Sequence, residues 1–189
     1  MSHADLPLSR EDLCRQVNTG KRFKYLYFWG HRPPKGGGVS SSCFSQWYAA
    51  PFVLEGVRYP TAEHYMMASK ARLFNDAVAL DRVLDAASPA AAKAAGREVL
   101  GFNEEAWVKH RFDIVCDANF AKFSQSTMLR EFLLSTGLRV LVEASPVDHI
   151  WGIGLSATDS GADNPNLWNG LNLLGFALMS VRARLTPEN

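Results

Sequence analysis

Glu63 and Lys70 stand seven residues apart in the segment that runs from Tyr59-Pro60-Thr61-Ala62-Glu63-His64-Tyr65 to Lys70. Thr61 is of a residue type that opens helices, its hydroxyl accepting from a first-turn amide. Ala62 to Phe74 is rich in helix formers, so Glu63 falls in the first turn. Seven residues is almost two helical turns, which puts Glu63 and Lys70 on one face with Met66, Met67 and Phe74. A carboxylate and an ammonium on an otherwise apolar stripe are costly to bury without partners, and a pocket is the natural place for them. The alternative is a solvated pair at the edge of a helix. His64 has no second histidine at metal-ligand spacing, so it reads as structural and no metal site is expected.

Two later segments also suit a site. Asp148-His149-Ile150-Trp151-Gly152-Ile153-Gly154-Leu155 follows a strand-like run, 138–143. There Asp148 is a second carboxylate, Trp151 offers a face for a ring, and Gly152 lets a ligand approach the backbone. Asn164 to Gly175 supplies Trp168, Asn169 and Asn172 at the start of a final helix, where free amides and side-chain amides suit anions and hydroxyls. On its own the first reads more readily as a structural turn with a core tryptophan, and the second equally as an ordinary cap with one. Arg32 and Lys35 follow Trp29-Gly30 in a Pro- and Gly-rich loop that can close over a phosphate, although the P-loop pattern is absent. Cys43 has no base partner nearby and reads as structural.

The elements that must position these residues belong to one domain. The 189 residues carry a net charge of +1, 47% hydrophobic and 21% charged residues. That balance excludes a strongly basic nucleic-acid coat, which needs many phosphate contacts. Three cysteines without a CxxC pair predict neither disulfides nor zinc. With no signal peptide or membrane span visible, a cytoplasmic location is expected.

The pattern predicts a short helix after Ser9, a strand from Tyr25, and a hairpin of 52–54 and 57–59 turning at Glu55-Gly56. Helices follow over 62–74 and 76–87, after Ser88-Pro89 to Gly96 or Gly101, from Asn103 to Phe123, and over 126–135. A strand over 138–143, an irregular stretch 144–169 and a helix over 171–185 complete the chain. The class is α+β: a single helix-rich domain, 25–187, with a small β-sheet, preceded by an extension, 1–24.

Taken in order, Phe28-Trp29-Gly30, Phe44-Ser45-Gln46-Trp47, Tyr59 through Lys70, Trp151 to Leu155, and Trp168 to Gly175 followed by Val181-Arg182 resemble the NADAR, or YbiA-like, family. The resemblance spans about residues 25–185. No single motif is decisive, but five in the right order are specific. Two features depart from the common form: a long loop over 31–43, and Trp168-Asn169-Gly170-Leu171-Asn172 where the family has Trp-Pro-Gly-x-Asn.

The resemblance implies an N-glycosidase acting on a phosphorylated ribosyl substrate. Two types are associated with the family, riboflavin-pathway ribosylamino-pyrimidine phosphates and ADP-ribosylated guanine, the latter free or in nucleic acid. On that reading Glu63 stabilises charge at the anomeric carbon or activates water, and Asp148 assists. Lys70 serves as phosphate ligand, proton donor or Schiff-base nucleophile. Trp29, Trp151 and Trp168 stack on rings. Gly30, Gly152, Asn169 and Asn172 line the pocket, and Arg32 and Lys35 meet phosphate. No cofactor or membrane partner is implied. The competing class is a non-catalytic nucleotide or ADP-ribose reader, which needs no Glu63–Lys70 pair.

Overall fold

The computed structural model describes residues 6–186. In chain order the elements are α1 (Arg10–Asn18), β1 (Tyr25–Phe28), β2 (Phe52–Leu54), β3 (Val57–Tyr59), α2 (Ala62–Leu73), α3 (Ala77–Leu84), α4 (Pro89–Arg97), α5 (Glu104–Ser124), α6 (Thr127–Ser135), β4 (Val140–Glu143) and α7 (Leu173–Leu185). The expected domain limits at residue 1 and residue 187 lie outside the described residues.

The helix starts are written locally. Ser9, Thr61, Asp76, Ser88 and Asn103 each accept a hydrogen bond from a first-turn amide, which satisfies a donor the helix itself leaves unpaired. The turn between β2 and β3 has Glu55 and Gly56 both at positive φ, 52° and 77°. That is the mirror-image turn whose twist matches a hairpin.

Two features differ from the sequence expectation. The strands form two separate pairs: β2 with β3 antiparallel, and β1 with β4 parallel, from Tyr25 opposite Val140 to Phe28 opposite Glu143. And neither Gly96 nor Gly101 ends α4, which stops at Arg97. Gly96 is instead the point where α4 meets α2, for a Cβ there would fall 2.2 Å from Met67 Sδ.

Helix α2 is buried on nearly every side by α3, α4 and α5. A helix so enclosed carries its first-turn residues into the core with it, Glu63 included. Helix α7 lies against α5 and β4. No helix among the described residues is long and apolar enough to cross a membrane.

Candidate active site

Strands β1 and β4 run parallel and end together, Phe28 opposite Glu143. Ligands of parallel sheets bind outside the carboxyl ends of the strands, and a cleft of about 540 Å³ opens there, within the range of small-molecule sites. Trp29, Gly30 and His31 enter it from the end of β1, and Glu143, Ser145, Val147, Asp148 and Trp151 from the end of β4. Helix α2 contributes Glu63 and Met66, helix α4 contributes Lys93 and Arg97, and the segment before β2 contributes Ser45, Gln46 and Trp47.

Glu63 is 3% exposed. Its amide donates to the Gln46 carbonyl at 3.0 Å, while its Oε1 has no hydrogen-bond partner. Burial pushes its carboxyl up to about 7, against the pull of Lys93, a hydrogen bond from Trp47 and a smaller effect of Arg97, with Asp148 adding to the rise. Gln46 is also buried, and its Nε2 is a donor with no partner. Unpaired buried polar atoms are rare and costly, so a cleft floored by an orphaned acceptor and an orphaned donor is built for a polar ligand.

The wall carrying Gln46 and Trp47 is pinned from below. Lys122, fully buried on α5, donates from Nζ to the carbonyls of Cys43 and Ser45 at 2.5 and 3.0 Å. Desolvation pushes its ammonium down to about 8. Asn119 donates to Gln46 Oε1 at 2.8 Å. The Cys43 thiol is buried and pushed up to about 12 by desolvation, which suits a structural residue. His64 is likewise structural, its ring between Thr61 Oγ1 at 2.8 Å and the Ala86 carbonyl at 3.1 Å.

Asp148 lines the cleft and also makes its own turn. Its Oδ1 accepts from the amides of Ile150 and Trp151 at 2.9 and 2.7 Å, which aims Trp151 inward. Trp29, 62% exposed, stands at the mouth. Arg32 and Lys35 lie exposed on the loop just past His31 and do not line the cleft.

The structure does not bring Lys70 to Glu63. Seven residues return a side chain to the same direction but carry it about 10 Å along the axis. Lys70 Nζ donates to the Gly96 carbonyl at 2.8 Å and sits 4.3 Å from the Phe102 ring centroid. The α2–α4 crossing therefore absorbs it. Lys70→Met is expected to leave turnover within a few-fold of wild type and to cost about 1 kcal/mol in urea unfolding, the size of one such hydrogen bond and cation–π contact. Loss of turnover in a folded variant would return Lys70 to the site.

The segment Trp168 to Gly175 is also structural. Trp168 is 2% exposed and donates from Nε1 to the Ala162 carbonyl at 2.8 Å, so it is a core residue and no ring can stack on it. Asn169 lies exposed outside the cleft and meets His149 Nδ1 through its carbonyl at 3.1 Å. Gly152 approaches protein backbone rather than a ligand: a Cβ there would lie 2.9 Å from the Glu143 carbonyl. Asn172 is fully buried, its Oδ1 accepting from the Glu143 amide and its Nδ2 donating to the Leu141 carbonyl, both at 2.9 Å. It thus acts as one rung of a missing third strand beside β4. Its left-handed backbone, φ 56°, delays α7 to Leu173.

Sequence reasoning placed Gln46 and Trp47 in a family motif but not among the lining residues, and missed Lys93, Arg97 and Glu143 as site residues altogether. Lys93 and Arg97 are spaced i, i+4 on α4, a face signal that was available. Glu143 ends a parallel strand, which only the pairing with β1 reveals. Among the described residues no group of three or more His, Cys, Asp or Glu is placed to hold a metal.

Comparison with known proteins agrees with this architecture. Residues 27–186 match the family model described as NADAR domain. An N-glycosidase of Acanthamoeba polyphaga mimivirus is 43% identical over 164 residues, covering 84% of this chain and 95% of the relative. An N-glycosidase of Nostoc punctiforme is 32% identical over 160 residues, covering 85% and 92%. The solution structure of the Escherichia coli protein YbiA superposes with a TM-score of 0.67 at 27% identity, covering 87% of this chain and 86% of that one.

Proposed function

This chain belongs to the NADAR domain family, and on that premise we propose that its cleft hydrolyses the C–N bond joining a phosphorylated ribose to a base-like amine. The enzyme class is that of its named relatives, N-glycosidases acting on N-glycosidic bonds. Two substrates fit the reading: ribosylamino-pyrimidine phosphates of the riboflavin pathway, and ADP-ribose carried on guanine.

The observation that carries the reading is Glu63, a buried carboxylate with an unpaired oxygen in a cleft walled by three tryptophans and two cations. Breaking a ribosyl C–N bond builds positive charge at the anomeric carbon. A buried carboxylate with one oxygen free of hydrogen bonds stabilises that charge far more than one in solvent. Glu63 holds the incoming water and takes its proton. Asp148 and Gln46 hold the ribose hydroxyls. Trp29, Trp47 and Trp151 flank the base, with Gly30 giving room at the mouth. Lys93 and Arg97 take the phosphate, and Arg32 and Lys35, on the next loop, meet a second one where the substrate is a diphosphate.

The test is parallel incubation with ribosylamino-pyrimidine 5′-phosphate and with ADP-ribosylated guanosine, reading released base and sugar phosphate. Multiple turnover on one of them identifies the substrate. Saturable binding of both without release would convert the protein into a reader of ribosyl phosphates. Lys93→Met is expected to raise KM about tenfold for either, with a smaller effect on kcat, because a phosphate contact binds ground and transition states alike. A fall in kcat alone would remove Lys93 from phosphate binding.

A further inference from the structure

We propose that Glu143 is the general acid of this cleft, the group that hands a proton to the departing nitrogen while Glu63 serves the water. The proposal rests on the glycosidase reading above. It concerns a residue that neither motif nor spacing singled out.

The geometry points to it in three ways. First, Glu143 lines the same cleft as Glu63 from a different element, the end of β4 rather than the start of α2. Glycoside cleavage uses two carboxyl groups flanking the bond, one protonated and one not. Second, both side chains carry a sealed oxygen without a donor, Oε1 on Glu63 and Oε2 on Glu143. An ionised carboxylate on each would leave two like charges in one desolvated cleft with an unpaired oxygen apiece, an arrangement that favours a proton on one of them. Third, Glu143 is rigidly placed. Its amide is held by Asn172 Oδ1 at 2.9 Å, and its carbonyl accepts from the Ile153 amide at 2.9 Å.

The surroundings decide which carboxyl keeps the proton. The charged and titratable groups facing the pair are Lys93 and Arg97 from α4, Asp148 from the loop after β4, and His31 from the loop after β1. Both cations, and Trp47 through a hydrogen bond, favour the ionised form of Glu63. Glu143 is pushed higher, to about 8, by burial first and then by Asp148, with Lys93 opposing and Glu63 adding to the rise. Two cations and a hydrogen bond favour the ionised form of Glu63, whereas Lys93 alone opposes the rise at Glu143, so the surroundings assign the acid's role to Glu143 and the base's to Glu63.

The step balances. The C1–N bond breaks with its electron pair on nitrogen, and the Glu143 proton goes to that nitrogen. Water oxygen bonds to C1, and its proton passes to Glu63. Exchange with solvent then returns a proton to Glu143 and removes one from Glu63. Nothing is oxidised or reduced.

A leaving group that needs no proton separates acid catalysis from everything else. Wild type, Glu143→Gln and Glu63→Gln are assayed on ribosylamino-pyrimidine 5′-phosphate and on 4-nitrophenyl riboside 5′-phosphate, whose nitrophenolate departs as an anion. Glu143→Gln is expected to lose about 10²–10⁴-fold on the amine substrate and less than about tenfold on the nitrophenyl one. Glu63→Gln is expected to lose both. Wild-type kcat/KM on the amine substrate should fall above pH 8 as Glu143 ionises, and that limb should be missing for the nitrophenyl substrate. Equal losses on both substrates, or none on either, overturn the assignment. Release of nitrophenolate by wild type reports on the glycosidase reading independently of the variant ratio. A wild type inert to both substrates and to ADP-ribosylated guanosine removes that reading and the role of Glu143 together.

Discussion

Glu63→Gln is expected to abolish turnover, by at least ~10³-fold, and at the same time to raise the melting temperature above neutral pH. The first effect follows from removing a buried carboxylate placed to meet a developing cation. The second follows from the energetic cost of holding that carboxylate in place. In the unfolded chain Glu63 titrates at its ordinary value of 4.5, whereas in the folded protein burial pushes it up to about 7. Because the folded value is the higher one, the group's contribution to stability is complete below pH 4.5 and is lost as pH rises through about 7. Glutamine has the same shape and no charge to desolvate, so it escapes that loss. At about 1.4 kcal/mol per pH unit the difference reaches on the order of 3 kcal/mol by pH 8, or roughly 5–10 °C for a domain of this size. Thermal scans of both proteins from pH 5 to 8.5 check this: the gap should open with pH. A constant gap, or a variant less stable at pH 8, would mean that Glu63 is better satisfied than its orphaned oxygen implies. A residue that lowers stability while enabling chemistry is what an active site predicts.

Gly175→Ala is expected to be the most damaging single methyl group in the chain. Glycine inside a helix is ordinarily a weakness, and alanine there stabilises by about 0.5–1 kcal/mol. Here the sign reverses. A Cβ on Gly175 would fall 2.0 Å from the Leu141 carbonyl and 2.5 Å from Asn172 Nδ2. One obstacle is backbone of β4, and the other is an amide already committed to that strand, so neither can rotate away. Helix α7 must lift off β4, at a cost of about 3 kcal/mol or more in urea unfolding. The site should suffer as well, because Asn172 holds the Glu143 amide. At temperatures where the variant is fully folded, its loss on an amine-linked substrate should exceed its loss on the nitrophenyl one. A neutral or stabilised Gly175→Ala would show the seam between α7 and β4 to be looser than these distances require.

Much of the fold was legible because its signals are local. Ser9, Thr61, Ser88 and Asn103 announce helix starts within four residues, and Glu55-Gly56 forms its hairpin from the φ values that this pair tolerates. Glu63 was legible as a candidate for the same reason: a carboxylate in the first turn of an apolar helix has few comfortable places. The family resemblance, carried by ordered motifs, supplied the bond to be broken. Composition misled where one residue type serves two purposes. Trp168, Gly152 and Asn172 have the chemistry of a ligand site, yet the structure spends them on packing one backbone against another. Spacing misled at Lys70, since helical periodicity fixes direction and leaves depth unspecified. What only the tertiary structure decided is the company Glu63 keeps. Glu143 is 80 residues away in sequence and Lys93 is 30, and neither separation leaves a periodic trace. They meet because β1 and β4 pair in parallel and end at one edge, and because α4 crosses α2 at a glycine. The sequence by itself determined which segments would be helices and which carboxylate to suspect. The pairing of distant strands, a long-range choice that no local pattern encodes, determined that this carboxylate shares a cleft with Glu143 and two cations.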